Sequence, residues 1–261
     1  MSSLTGKRIL VVGASSGVGK ACATAFVRHG AAVVFAARRR ELLDAAVAEA
    51  GGGHVVELDA MQPDSIAAAV GAAAEAIGGF DAVLYASGMS PLARLSEVTP
   101  AQWHEIFTIN TFGPSMVFAA ALAHAAPDAI MAAISSDSSH QPRHSLVPYA
   151  ASKAALEASM EGWRTEEIGG RRFMTVLIGP TAPTGFADNF TPDQYMGIIP
   201  HWQRQGFRTG MQSSDDVGEH LSTSFASLFA APTLGIETLL LRAPEPALPI
   251  LDMGSTTLES S

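Results

Sequence analysis

Through its first two thirds the chain alternates short β-rich apolar runs with longer Ala-rich stretches, and this alternation limits the folds open to it more than any other feature. The runs Arg8–Val12, Ala32–Ala36, His54–Leu58, Ala82–Tyr85, Ala129–Ile134 and Arg172–Ile178 are read as strands. Most of their residues are apolar, without a regular polar alternate, as in parallel strands buried on both faces. The stretches Val18–His29, Arg40–Ala50, Asp64–Ile77, Pro100–Ala125 and Tyr149–Ile168 are read as helices, and Gly51–Gly53 as a tight turn between helix and strand. Repetition at this pitch implies βαβ crossovers, hence an α/β fold with a doubly wound parallel sheet of Rossmann type. No linker divides residues 1–261, so a single domain is expected, with a last strand over Thr238–Arg242. Prolines, glycines and aromatics interrupt the alternation between about 183 and 211, which reads as a lid inserted over a site. The Pro- and Ser-bearing tail, 245–261, is expected to be loosely ordered or to reach a neighbouring subunit.

Composition narrows the partners. A net charge of -9 and a pI near 5.3 argue against a nucleic-acid binder, which normally shows a basic face. Cys22 is the only cysteine, so neither an intramolecular disulfide nor a cysteine metal site is expected. His140, His144, His201 and His220 show no metal spacing with nearby carboxylates. The first apolar run, Ile9–Val12, is too short for export, and Met116–Ala126 has the length of a core helix. A cytoplasmic protein without a membrane partner is the expectation.

Gly13-Ala14-Ser15-Ser16-Gly17-Val18-Gly19 follows the first strand and opens the first helix. Glycines serve ordinary turns as well, but in a strand–loop–helix context they let a pyrophosphate approach the backbone and the unpaired N–H groups of a helix start. Ser15 and Ser16 add hydroxyl donors. The spacing is three residues then one, and in this the chain resembles the short-chain dehydrogenase/reductase family.

That resemblance implies a nicotinamide dinucleotide cofactor and extends over nearly the whole chain to about Thr184. An NAD site usually places an acid at the end of the second strand, for the ribose hydroxyls. Here the strand ends in Ala37-Arg38-Arg39-Arg40. Cations at a helix start oppose its dipole, and guanidinium forks suit a 2′-phosphate, so NADP(H) is expected over NAD(H). A solvated basic turn is the plain alternative. Asp59 stands where the family holds the adenine amino group, or is simply a turn residue. Tyr85-Ala86-Ser87-Gly88 matches the family's Asn-Asn-Ala-Gly with both asparagines replaced, which leaves Ala86 and Gly88 only backbone contact with the adenosine half.

Tyr149 and Lys153 are spaced i, i+4, on one helix face. A nearby ammonium and a cationic nicotinamide would lower the phenol's pKa toward neutrality. In the resembled family this pair is catalytic, and a serine about thirteen residues earlier polarises the substrate oxygen. Ser136 meets that spacing, with Ser135, Ser138 and Ser139 nearby and Ser138 the fallback. Asn110 matches the family's asparagine that anchors a proton-relay water. Gly179-Pro180-Thr181-Ala182-Pro183-Thr184 resembles Pro-Gly-x-x-x-Thr with its first two residues exchanged, which assigns Pro180, Thr181 and Thr184 to the nicotinamide.

These readings combine into an oxidoreductase that moves a hydride between NADP(H) and a carbonyl or secondary alcohol. Two alternatives are a non-catalytic NADP(H)-binding regulator and a lyase or epimerase on the same fold. The lid carries Phe186, Phe190, Tyr195, Met196, Ile198, Ile199, Trp202, Phe207 and Met211, and for charge only Asp188, Asp193, Arg204 and Arg208. Those side chains either pack the lid or line a pocket for a bulky, uncharged or weakly polar carbonyl compound. A homodimer or homotetramer is expected through the two long helices, as family members commonly pair.

Overall fold

The computed structural model describes residues 3–187, 190–207 and 210–244. Seven parallel strands form the central sheet: β1 (Arg8–Val12), β2 (Ala32–Ala37), β3 (His54–Glu57), β4 (Phe80–Tyr85), β5 (Ala125–Ser136), β6 (Arg172–Ile178) and, after two short strands, β9 (Thr238–Leu241). Their spatial order is β3-β2-β1-β4-β5-β6-β9. The chain winds one way from β1 to β3 and the other way from β4 onward, so the switch point falls between β1 and β4, where such sheets bind ligands beyond the strands' carboxyl ends.

Period-2 geometry explains why the strands read as unbroken apolar runs. Ile9 and Val11 enter one core layer while Leu10 and Val12 enter the other, and Phe35 and Val34 divide the same way. The first layer is closed by α1 (Gly17–Arg28), α2 (Arg40–Ala50) and α8 (Ser214–Ala230), with the rings of Phe26 and Phe225 stacked at 5.2 Å. The second is closed by α3 (Pro63–Ile77), α5 (Gly113–Ala121) and α6 (Val147–Glu166).

The helix expected over Pro100–Ala125 is broken. α4 (Pro100–Phe107) passes into a π-helical turn, Thr108–Phe112, before α5 begins. Pro114 has no N–H to give the carbonyl four residues back, that of Asn110, and the Gly113 N–H bonds Thr108 O instead. Such π turns recur at functional sites, and this one carries Asn110. The run Pro100–His124 is long and apolar enough to cross a membrane; here more than half of its most apolar stretch is buried, and it packs on α3 and α6.

Residues 181–213 hold a two-stranded sheet, β7 (Thr181–Ala182) with β8 (Gln212–Ser213), and the helix α7 (Pro192–Arg204). A capping box starts α7: the Thr191 hydroxyl accepts from Gln194 N, and the Gln194 side chain accepts from Thr191 N. Asp188, Arg208 and the tail 245–261 lie outside the described residues.

Candidate active site

A cleft of about 350 Å³ opens at the carboxyl ends of the central strands. Gly13, Ser15, Ser16, Gly17 and Val18 line it at the start of α1, where the Ser16 side chain makes no capping hydrogen bond. The helix's first N–H groups are thus left for an anion. Side chains on these glycines would fill the approach. A Cβ on Gly13, at φ +91°, would stand 2.6 Å from Ser87 N, and one on Gly17 would stand 3.2 Å from Thr184 Cα. Gly19 does not line the cleft; it lies against Gly13 and Ala86 and lets α1 pack close to β1. A pyrophosphate fits this cradle.

Beside it, Arg38 and Arg39 are exposed and line the cleft, and among the described residues neither forms an ion pair. Arg40 is turned to other use, holding Asp44 at 3.0 Å one helical turn on. Asp59 lines the cleft while its carboxylate accepts from Met61 N at 3.0 Å. Ala86 and Gly88 form the middle of the wall. Tyr85, standing where the resembled family has asparagine, is buried and donates its hydroxyl to Ile109 O at 2.8 Å. This ties β4 to the π turn beside Asn110. Gly113 is required there, because a Cβ would overlap the Tyr85 hydroxyl.

Ser136, Tyr149, Lys153, Pro180, Thr181 and Thr184 line the other end. Of the four neighbouring serines only Ser136 does so. Ser135 donates to Glu157 Oε1 at 2.5 Å, Ser138 Oγ accepts from Arg143 at 2.6 Å, and Ser139 donates to Ser136 O at 2.6 Å. Ser136 is positioned by the Ser138 N–H, which donates to its Oγ at 3.1 Å. Lys153 is 2% exposed, donates to Ile134 O at 2.8 Å, and lies 5.8 Å from the centre of the Tyr149 ring. Asn110 stands behind the wall. Its Oδ1 accepts from Met89 N at 2.9 Å, and its Nδ2 donates to Met89 O and to Ser152 Oγ. A Cβ at position 88 would lie 3.4 Å from Lys153 Nζ and 3.6 Å from Asn110 Oδ1, so both polar atoms converge on the face that Gly88 leaves clear.

In the chain alone, burial pushes the Tyr149 phenol up to about 12, outweighing its hydrogen bond with Ser136; the lowering expected from a cationic nicotinamide belongs to the loaded site. Burial also draws the Lys153 ammonium down to about 8, against the opposing pull of Glu157. The phenolate is the more costly state where the surrounding chain strips water from it, so Tyr149 carries its proton at neutral pH, which is the form of an acid.

The cleft is also lined by residues outside the expected site, among them Met89, Ile109, Ile134, Phe186 and Arg143, and the last two bear on its chemistry. Phe186, expected only as one of nine lid side chains, packs its ring 4.9 Å from that of Tyr149 and alone of the nine lines the cleft. Trp202 instead donates to His144 O at 2.9 Å, and Met196 and Met211 are exposed. Arg143, on the loop before α6, lines the cleft without any motif to announce it.

A doubly wound sheet with a glycine cradle at its switch point and a Ser, Tyr and Lys facing one cleft defines a dinucleotide-binding oxidoreductase class. Comparison with known proteins agrees. Residues 7–194 match the family model for short chain dehydrogenase. An oxidoreductase of Methylorubrum extorquens is 30% identical over 185 residues, 69% of this chain and 74% of its own. Gluconate 5-dehydrogenase of Gluconobacter oxydans is 31% identical over 195 residues, 72% and 75% of the two chains. Among solved structures, a short chain dehydrogenase from Burkholderia cenocepacia in complex with NADP superposes with a TM-score of 0.79 at 24% identity, over 92% of this chain and 97% of that one. An alcohol dehydrogenase from Thermococcus sibiricus, complexed with 5-hydroxy-NADP, gives 0.77 at 22% identity, over 92% and 99%. The chain belongs to the short-chain dehydrogenase/reductase family, whose members are oxidoreductases using a nicotinamide cofactor.

Proposed function

We propose that this chain is an NADP(H)-dependent oxidoreductase acting between a carbonyl and a secondary alcohol, on a substrate with substantial apolar surface. The observation that carries the reading is that Ser136, Tyr149 and Lys153 face one cleft whose other end holds the glycine cradle and two arginines, Arg38 and Arg39, that form no ion pair among the described residues. When bound, the reduced nicotinamide supplies the hydride. Ser136 hydrogen-bonds the substrate oxygen, and Tyr149 gives that oxygen its proton. Lys153 holds the nicotinamide ribose and, with the cofactor, eases the tyrosine's proton loss. Asn110 holds a water at the face of Gly88, behind Lys153, for proton resupply. Pro180, Thr181 and Thr184 hold the carboxamide end; Asp59, Ala86 and Gly88 hold the adenosine half.

The test is product analysis with NADPH over a chain-length series of ketones. Each added methylene is worth about 0.8 kcal/mol when buried, so kcat/KM is expected to rise along the series. A fall from the smallest member onward would overturn the apolar reading.

Arg38 and Arg39 are assigned to the 2′-phosphate, and the two NADP-type neighbours support this choice of cofactor. Calorimetric titration is expected to find NADPH bound more tightly than NADH. A hydrogen bond to a charged group contributes about 1.5–3 kcal/mol, so Arg38→Ala should narrow the preference by roughly 10- to 100-fold. Equal affinities in the wild type, or a preference indifferent to Arg38→Ala, would sink the assignment.

A homodimer or homotetramer joined through α4, α5 and α6 completes the proposal, with a cytoplasmic location. Leu95, 53% exposed, and Phe112, 52% exposed, offer apolar surface beside these helices. Light scattering at micromolar concentration should give a multiple of 27.1 kDa; the monomer mass would count against it.

A further inference from the structure

Arg143 stands six residues before Tyr149 and lines the cleft at the Ser136 end. Its Nη1 and Nη2 donate to Asp137 Oδ1 and Oδ2 at 3.1 and 3.2 Å, and Nη1 donates again to Ser138 Oγ at 2.6 Å. A guanidinium has five N–H donors in a fixed fork. Three are used here, all of them on Nη1 or on the edge between Nη1 and Nη2. The two that remain, Nε–H and the second Nη2–H, lie parallel along one side, and among the described residues neither has a partner. The ring of Phe207 lies 4.8 Å from the guanidinium carbon and covers its face. What Arg143, at the cleft, has left unused is a two-donor edge, the shape that takes both oxygens of a carboxylate.

Charge balance points the same way. Asp137 is shared, since Arg242 Nε lies 3.5 Å from its Oδ2, and that Nε is buried without a hydrogen-bond partner among the described residues. The three side chains are 11%, 7% and 27% exposed, so two cations and one anion sit largely out of water with an excess of one positive charge. A buried surplus charge is costly until something balances it. The cluster is also close to the reacting atoms. Ser138, which accepts from Arg143, donates its N–H to Ser136 Oγ, and the Tyr149 phenol senses the charges of both Asp137 and Arg143. The lid's few cations argued for an uncharged substrate, but this cation comes from a different loop.

We propose that Arg143 is a specificity-determining residue that binds a carboxylate of the substrate, making the substrates oxo acids and hydroxy acids whose apolar chain extends toward Phe186. The proposal rests on the oxidoreductase reading, and its test separates the two. Oxo acids with the carbonyl at carbons 2, 3 and 4 are compared with their methyl esters, in the wild type, Arg143→Gln and Arg143→Lys. The wild type should prefer acid to ester in kcat/KM by more than about tenfold for at least one position, as a charge-assisted bidentate bond allows. Arg143→Gln should abolish that ratio, and Arg143→Lys should restore part of it. A residue that merely clamped the loop would lower acid and ester together and leave the ratio standing; that result, or esters matching acids throughout the wild-type series, overturns the proposal. If no carbonyl compound is turned over, the oxidoreductase reading fails on its own account. Calorimetric titration of hexanoate into the NADPH-loaded protein then decides: binding lost in Arg143→Gln supports the carboxylate site, and no binding, or binding indifferent to the variant, overturns it.

Discussion

Tyr149→Phe is expected to lower turnover by about 10²–10⁴-fold, the usual worth of a positioned proton donor, while leaving affinity for the nicotinamide cofactor nearly unchanged. The phenol contributes to the transition state and little to the ground state, so the loss should fall on kcat and kcat/KM together. The structure strengthens the expectation. Tyr149, pushed up to about 12 by burial, holds its proton across the physiological range and is ready to donate it. Its ring packs on Phe186, which phenylalanine at 149 preserves, so a collapsed pocket cannot account for the loss. Ser136→Ala should also remove most activity. Ser138→Ala should do less, because the Ser138 hydroxyl serves Arg143 and its N–H still reaches Ser136 Oγ. Single-turnover rates and cofactor titrations check all three. Retention of more than roughly a tenth of the rate by Tyr149→Phe would be incompatible with proton transfer, and a larger loss in Ser138→Ala than in Ser136→Ala would move the polarising role by two residues.

What could be read from the sequence was whatever a local pattern determines. β1 and β6 begin and end where their apolar runs do, because both strands are buried on both faces and flanked by polar or glycine residues. β5 starts at Ala125, four residues before the expected Ala129; Pro127 and Asp128, poor strand formers, mask its first residues, which pair with β4 across a register shift between Phe80 and Ala82. α8 went unread although its signals were present. Ser213 caps it by accepting from Asp215 N, Asp215 and Asp216 fill its first turn, and Val217, Leu221, Phe225 and Leu228 repeat at helical spacing. In the site, the glycine loop and the Tyr149–Lys153 pair are marked by short spacings, and Ser136 by the resembled family's distance to the tyrosine; all of them but Ala14 and Gly19 of the loop line the cleft. Arg143 is not so marked, since its place depends on Asp137 and on Phe207 from a segment more than sixty residues later. How far burial raises the Tyr149 phenol in the chain alone was equally out of reach. It depends on how much water the folded chain excludes, which no spacing records.

Lys153→Met is expected to abolish activity and at the same time to make the protein more stable at neutral pH. The lysine is 2% exposed, and burial draws it from 10.5 to about 8. At 1.36 kcal/mol per tenfold change in proton affinity, keeping the ammonium charged in the folded state costs about 3 kcal/mol. Methionine has similar length and no charge to desolvate, though it leaves Ile134 O without the bond Lys153 supplies at 2.8 Å, which returns about 1–3 kcal/mol of the gain. The pH dependence separates these terms. Below pH 8 the lysine is protonated in both folded and unfolded chains, so the penalty is present in full. Between about 8 and 10.5 the unfolded chain binds more protons than the folded one, so wild-type stability rises with pH as the penalty is relieved. The lost hydrogen bond to Ile134 O does not titrate with Lys153 in the variant. Denaturant midpoints should therefore show Lys153→Met gaining on the wild type at pH 7 and losing that advantage steadily by pH 10.5. A difference that stays flat across this range would mean that Lys153 is not desolvated as the fold implies. A gain in stability bought with the loss of turnover would mark the ammonium as a charge the fold retains for the reaction rather than for its own cohesion.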